Sequence, residues 1–256
     1  MDKSMKYLKK LPLLFMLTFL MSSCKPKYKD LKIAVAANFA PTLKKIIPEF
    51  TQKTGIKVTV ITGSTGKLYS QIKNGAPFDI FLAADSERPK ILVDEKLATG
   101  QFTYAVGQLA LWSPTEKLKG LDFLESDFTK LAIANPKLAP YGQAARETLK
   151  KLNLWDKINH KIVIGENVSQ TLEFARSGNA DAALVSFSQV KDLPGSLIII
   201  LQKYHNPIKQ DGCIIKKSRE AEKFLEYMKR DGSTVILMDG YLDLKMIPWL
   251  KGSHDE

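Results

Sequence analysis

The sequence predicts an α/β protein of two doubly wound lobes between which the chain crosses and returns. Three observations predict it. From Lys29 to Leu97 strand-like and helix-like runs alternate three times, the pattern of a doubly wound domain with a parallel sheet. After the long apolar run Tyr104 to Trp112, a second alternation occupies residues 130–187. A late apolar segment, Asp211 to Lys216, then stands where it can rejoin the first sheet.

In the first lobe the apolar strand 31–36 runs into Ala37-Asn38-Phe39-Ala40, and Pro41 opens a helix over 41–53. Proline suits this early position because the first helical N–H groups have no partner within the helix. The strand 57–62 leads through Gly63-Ser64-Thr65-Gly66 into a helix over 67–74. Two glycines let this turn tighten and bring its N–H groups close to a guest, while Ser64 and Thr65 add hydroxyl donors. Helix starts of this kind seat anions, and Asn38 adds an amide donor to the earlier turn. A third strand, 78–83, ends at Asp85, which is expected to cap the following helix, 86–97, because an acid would repel an anion.

In the second lobe a strand at 130–135 precedes the stiff loop Pro136 to Gly142 and a helix Gln143 to Leu152. Strand 161–165, loop Glu166-Asn167-Val168, helix 169–177 and strand 181–187 follow, so two more strand-to-helix turns converge. Ser196 to Leu201 leads to the return crossing, and helices at 219–229 and 233–239 are expected to pack on the first lobe. Ligands of such sheets bind at the carboxyl ends of the strands, where these turns lie. The lobe ranges read as 30–105 with 206–256, and 106–205.

Residues 1–24 stand apart from the fold. Four lysines precede an apolar run, Leu11 to Met21, too short to span a bilayer and shaped like a secretory signal. It ends in Leu20-Met21-Ser22-Ser23-Cys24, similar to the lipobox of bacterial lipoproteins, in which the cysteine takes the lipid; the alternative is an ordinary signal peptide cleaved nearby, which leaves the protein equally exported. Cys213 is then left alone and no disulfide forms. The net charge of +11 becomes +8 without this segment, whose four lysines oppose Asp2. The remaining lysines are scattered among acids, which excludes a nucleic-acid face. The three histidines show no ligand spacing for a metal.

Together, Ala34 to Phe39, Gly63 to Tyr69, Asn74 to Asp79, Ala83 to Asp85, Ala139 to Gly142, Glu166 to Val168 and Asn206 to Gln210 resemble the molybdate-binding proteins of bacterial ABC transporters. The resemblance implies a type II periplasmic binding protein fold whose lobes close, about a hinge, on a tetrahedral dianion. It implies no enzyme activity and no cofactor, a molybdate or tungstate ligand, a membrane permease as partner, and a monomer in the periplasm, while lipid on Cys24 is expected from the lipobox-like run alone. It further implies that the anion is held by Asn38, Ser64 and Thr65 from one lobe and by main-chain N–H groups at Tyr141 and Val168 from the other. Some members add a tyrosine hydroxyl where this chain has Ser186. Lys67 is expected to face water, leaving neutral donors to hold the anion.

Two alternatives arise from the same residues. One is a binding protein for sulfate, phosphate or another small oxyanion. The other is a serine hydrolase, because Ser64 and Lys67 fit Ser-x-x-Lys; but Lys53-Thr54-Gly55 precedes Ser64 where that class has it afterwards, and no Ser-Asp-Asn element is present. A Walker loop is excluded by Ile61, which stands where its first glycine is required.

Overall fold

A computed structural model describes residues 30–243. The signal-like segment and Cys24 lie outside the described residues. The first sheet begins with β1 (Leu31–Ala36), β2 (Val58–Gly63) and β3 (Ile80–Leu82), linked by helices α1 (Ala40–Thr54) and α2 (Thr65–Lys73). After α3 (Glu87–Asp94) comes β4 (Thr99–Gly107), and the chain then crosses to β5 (Leu109–Ser113) in the second sheet. That sheet continues with β6 (Leu131–Ala134), α4 (Pro140–Lys151), α5 (Trp155–Ile158), β7 (Ile162–Gly165), α6 (Val168–Arg176), β8 (Ala182–Ser186), α7 (Phe187–Val190) and β9 (Ser196–Ile199). The return gives β10 (Ile208–Ile214), α8 (Arg219–Tyr227) and α9 (Ser233–Met238). We refer to each sheet with its helices as a lobe.

Both sheets have five strands, ordered β2-β1-β3-β10-β4 and β7-β6-β8-β5-β9. Neither is wholly parallel, contrary to the sequence expectation. Three strands of each are parallel, and then β10 pairs antiparallel with β3 and β4, as β5 does with β8 and β9. The crossings explain this: each antiparallel strand, fourth of the five in its sheet, enters from the other lobe with no α-helix to reverse its direction. The run Tyr104 to Trp112, read as one apolar crossing, is two strands divided at Gln108, and the return strand begins at Ile208 rather than Asp211.

Strands β1, β3 and β6 are buried nearly throughout, as expected of strands covered on both faces. On one face of the first sheet Leu43, Ile46 and Phe50 of α1 meet Phe224 of α8, with the Phe50 and Phe224 rings edge to face at 5.1 Å. On the other face Leu68 and Ile72 of α2 pack with Leu92 of α3 and the buried thiol of Cys213. The second lobe has its own core around Leu111, Leu131, Ile133, Leu149 and Leu184. Between α8 and α9 the helix widens into a π turn at Met228–Gly232, which local propensity did not foretell.

Candidate oxyanion site

Strands β1, β2, β6 and β7 each lead to a helix N-terminus, and the four N-termini meet between the lobes. Asn38 precedes α1, Ser64 and Thr65 begin α2, Pro140 and Tyr141 begin α4, and Asn167 and Val168 begin α6; all line one cavity of about 10 Å³. A larger groove of about 230 Å³ runs along Phe102, Tyr104, Met228 and Ile236, but no unpartnered buried polar atom faces it. Four converging helix N-termini, not size, mark the small cavity.

Ser64 is the clearest sign. It sits at the N-cap of α2 with extended backbone, φ −69° and ψ 146°, yet makes no capping hydrogen bond. A serine in this position ordinarily accepts from an N–H of the first turn. Here its hydroxyl is buried and has no hydrogen-bond partner among the described residues, a costly arrangement that buried polar groups rarely show. Thr65 is held differently: its Oγ1 accepts from the Ala84 N–H at 3.0 Å, which leaves its own proton to donate. In α6 the Asn167 side chain accepts from the N–H groups of Ser169 and Gln170, so the cap leaves the Val168 N–H free of it. In α4 no side chain caps the first turn and Pro140 has no N–H, so Tyr141 carries the first N–H of that helix.

Three expectations change. The Asn38 amide does not point its donors at the cavity: its Nδ2 donates to Gln210 Oε1 at 3.0 Å and to Tyr241 Oη at 3.2 Å. What Asn38 offers is its main chain at the start of α1. Gly66 does not form a tight turn but lies in α2 without a positive φ, and its N–H donates to the Leu138 carbonyl of the opposite lobe at 2.8 Å. Lys67 does not extend into water alone; it pairs across the cleft with Glu166 at 2.8 Å, both half exposed. Lys67, which a Ser-x-x-Lys hydrolase would turn to its serine, is thus turned to Glu166 instead, and Ser64 Oγ has no hydrogen-bond partner among the described residues. Asp85 does cap, accepting from the Arg88 N–H at 3.0 Å and pairing with its guanidinium. Burial raises its pKa and Arg88 opposes that rise.

Behind the cavity lies a buried polar cluster that the sequence did not disclose. Tyr141 Oη accepts from Ser186 Oγ at 3.0 Å and from Gln210 Nε2 at 3.2 Å. Tyr104 donates to Gln210 Oε1, and Ser188 to Tyr241 Oη, which in turn donates to the Asn38 carbonyl at 2.9 Å. Ser186 thus serves Tyr141 and does not line the cavity. Gly107 is required here, because a Cβ on it would stand 2.1 Å from Tyr141 Oη. Among the described residues no three histidine, cysteine, aspartate or glutamate side chains gather to hold a metal.

The family model described as bacterial extracellular solute-binding protein matches residues 31–242. The molybdate-binding protein ModA of Rhodobacter capsulatus is 42% identical over 218 residues, 82% of this chain and 86% of that one. A substrate-binding lipoprotein of Bacillus subtilis, YvgL, described as a putative ABC transporter component, is 31% identical over 222 residues, 80% of this chain and 83% of its own. The solved periplasmic molybdate-binding protein of Azotobacter vinelandii superposes with a TM-score of 0.79 at 35% identity, covering 84% of this chain and 99% of that structure.

Burial pushes the Tyr241 hydroxyl up to about 12, against the hydrogen bonds from Ser188 and Asn38 that lower it. In the unfolded chain it ionises near pH 10. The stabilisation is therefore complete below about pH 10 and is lost as pH rises toward 12, because the unfolded state releases the proton first. Denaturant titrations between about pH 9 and 12 should show stability falling less steeply for Tyr241→Phe than for the parent. Equal slopes would show that Tyr241 is not the group responsible.

Proposed function

Because this chain belongs to the bacterial extracellular solute-binding proteins, we propose that it captures molybdate or tungstate between its lobes and delivers it to the membrane permease of an ABC transporter. The observation that carries this reading is the buried Ser64 hydroxyl, set at a helix N-cap yet unused by the helix. With Thr65 Oγ1 and the N–H groups of Asn38, Tyr141 and Val168, it forms a shell drawn from both lobes. The binding set so proposed contains no lysine or arginine. Such a shell suits a fully deprotonated dianion, since a protonated oxyanion would need an acceptor for its own proton.

Each hydrogen bond to a charged acceptor is worth about 1.5–3 kcal/mol net, and a well-placed helix N-terminus adds up to about 2 kcal/mol. Micromolar binding corresponds to about 8 kcal/mol, so five donors can reach it and exceed it after the losses of association. Among the described residues we take 30–107 with 206–243 as one lobe and 108–205 as the other, two residues from the boundary read in the sequence. A single chain completes the shell, which supports action as a monomer.

The protein acts outside the cytoplasm, as its relatives do. We infer further that it is held to the membrane by lipid on Cys24. The lipobox-like run Leu20 to Cys24 supports this, as does the likeness to the B. subtilis lipoprotein.

Calorimetric titration of the mature protein with molybdate, tungstate, sulfate and phosphate should give one-to-one binding with molybdate or tungstate tightest. Ser64→Ala should weaken it by about 1.5–3 kcal/mol, or roughly ten- to a hundredfold. Sulfate or phosphate binding more tightly than molybdate would redirect the reading to another oxyanion. Separately, Cys24→Ala should release the protein from membranes or block its processing at that site; a mature chain that mass spectrometry finds beginning elsewhere, with Cys24 removed, would rule out the anchor.

A further inference from the structure

The cleft is closed by contacts that include no ligand. Gly66 N–H donates to Leu138 O at 2.8 Å, Arg88 reaches Lys137 O at 3.1 Å, Ser169 Oγ reaches Ala37 O at 3.2 Å, and Lys67 pairs with Glu166. Three of these use side chains, and the longest, Lys67 and Arg88, can follow a lobe as it moves. The Gly66 contact cannot, because it joins one backbone directly to another. A Cβ on Gly66 would stand 3.1 Å from both Leu138 Cα and Leu138 O.

Neither surface yields readily. Gly66 belongs to the first turn of α2, directly after Ser64 and Thr65. Leu138 lies in a loop fixed by its own bonds: Lys137 N–H donates to Asn135 Oδ1 at 2.9 Å, and the N–H groups of Leu138 and Ala139 donate to Asn135 O at 3.1 and 2.9 Å. Asn135 in turn is tied to Gly165 O at 2.8 Å. Ala139, Pro140 and Tyr141 follow at once on the cavity wall. The distance at Gly66 and Leu138 therefore fixes the distance between the α2 donors and the α4 donor.

We propose that the Gly66–Leu138 backbone contact is the closure stop of the two lobes, and that it determines which oxyanion radius the cavity accepts; this rests on the oxyanion reading above. Glycine is there for what its missing side chain permits, a closer approach of the two lobes than any other residue would allow. A methyl group at this position holds the lobes a few tenths of an ångström apart, lengthening every bond made from one side. A smaller oxyanion suffers most, because its oxygens already reach least far.

The test uses Gly66→Ala and Gly66→Val in the mature protein, with molybdate and sulfate as probes. Gly66 has ordinary helical backbone, and alanine is the better helix former, so the melting temperature of ligand-free Gly66→Ala should equal or exceed that of the parent. Its molybdate affinity should nevertheless fall about tenfold or more, through faster dissociation with unchanged association. Gly66→Val should lose more, and the ratio of molybdate to sulfate affinity should widen. A Gly66→Ala protein binding within about twofold of the parent, or one whose ligand-free melting temperature drops along with its affinity, overturns the closure stop. A parent protein that binds neither anion overturns the oxyanion reading instead.

Discussion

A dianion taken out of water with no countercharge has to be met by hydrogen-bond donors that nothing else has claimed. Buried donors are almost always claimed, so the fold has to manufacture unclaimed ones, and helix N-termini are where a backbone does this without strain. The wall of this cavity is made from four of them, two in each lobe. On the proposed reading each local departure at the site serves that end. Ser64 stands at an N-cap and does not cap, Pro140 removes an N–H and leaves Tyr141 first in line, and Asn167 caps the two positions beyond Val168.

The donors must also be held at the correct separation, and here the lobes act on one another. Asn38 is fixed from behind by Gln210 and Tyr241, which belong to the late part of the chain returning to the first sheet. Tyr141 lines the cavity at the start of α4, and its hydroxyl accepts from Ser186 and Gln210. One residue thus joins the cavity wall to the buried cluster beneath it, and Gly107, at the first crossing, provides the room. Burial keeps the tyrosine hydroxyls protonated, so the cluster beneath a captured dianion adds no negative charge of its own.

Much of this was legible in the sequence because it depends on local order. Apolar runs ending in Asn38 or in Ser64-Thr65, followed by amphipathic stretches, announce strand-to-helix turns wherever they occur, and Tyr141 and Val168 were reached through family resemblance. What escaped notice depends on distant partners. The Asn38 amide looked like a free donor because Gln210 and Tyr241 lie 172 and 203 positions away. Gly66 looked like a turn residue because nothing nearby in sequence reveals Leu138. The antiparallel strand next to the edge strand of each sheet is hidden for the same reason, since its direction follows from which lobe the chain has just left.

The central claim is that neutral donors from both lobes hold the anion. A crystal structure of the protein with molybdate tests it directly. The account predicts oxygens of the anion within about 3.2 Å of Ser64 Oγ, Thr65 Oγ1 and the N–H groups of Asn38, Tyr141 and Val168, with Lys67 still turned to Glu166. An anion bound elsewhere, or one held by a lysine or arginine side chain, would contradict it.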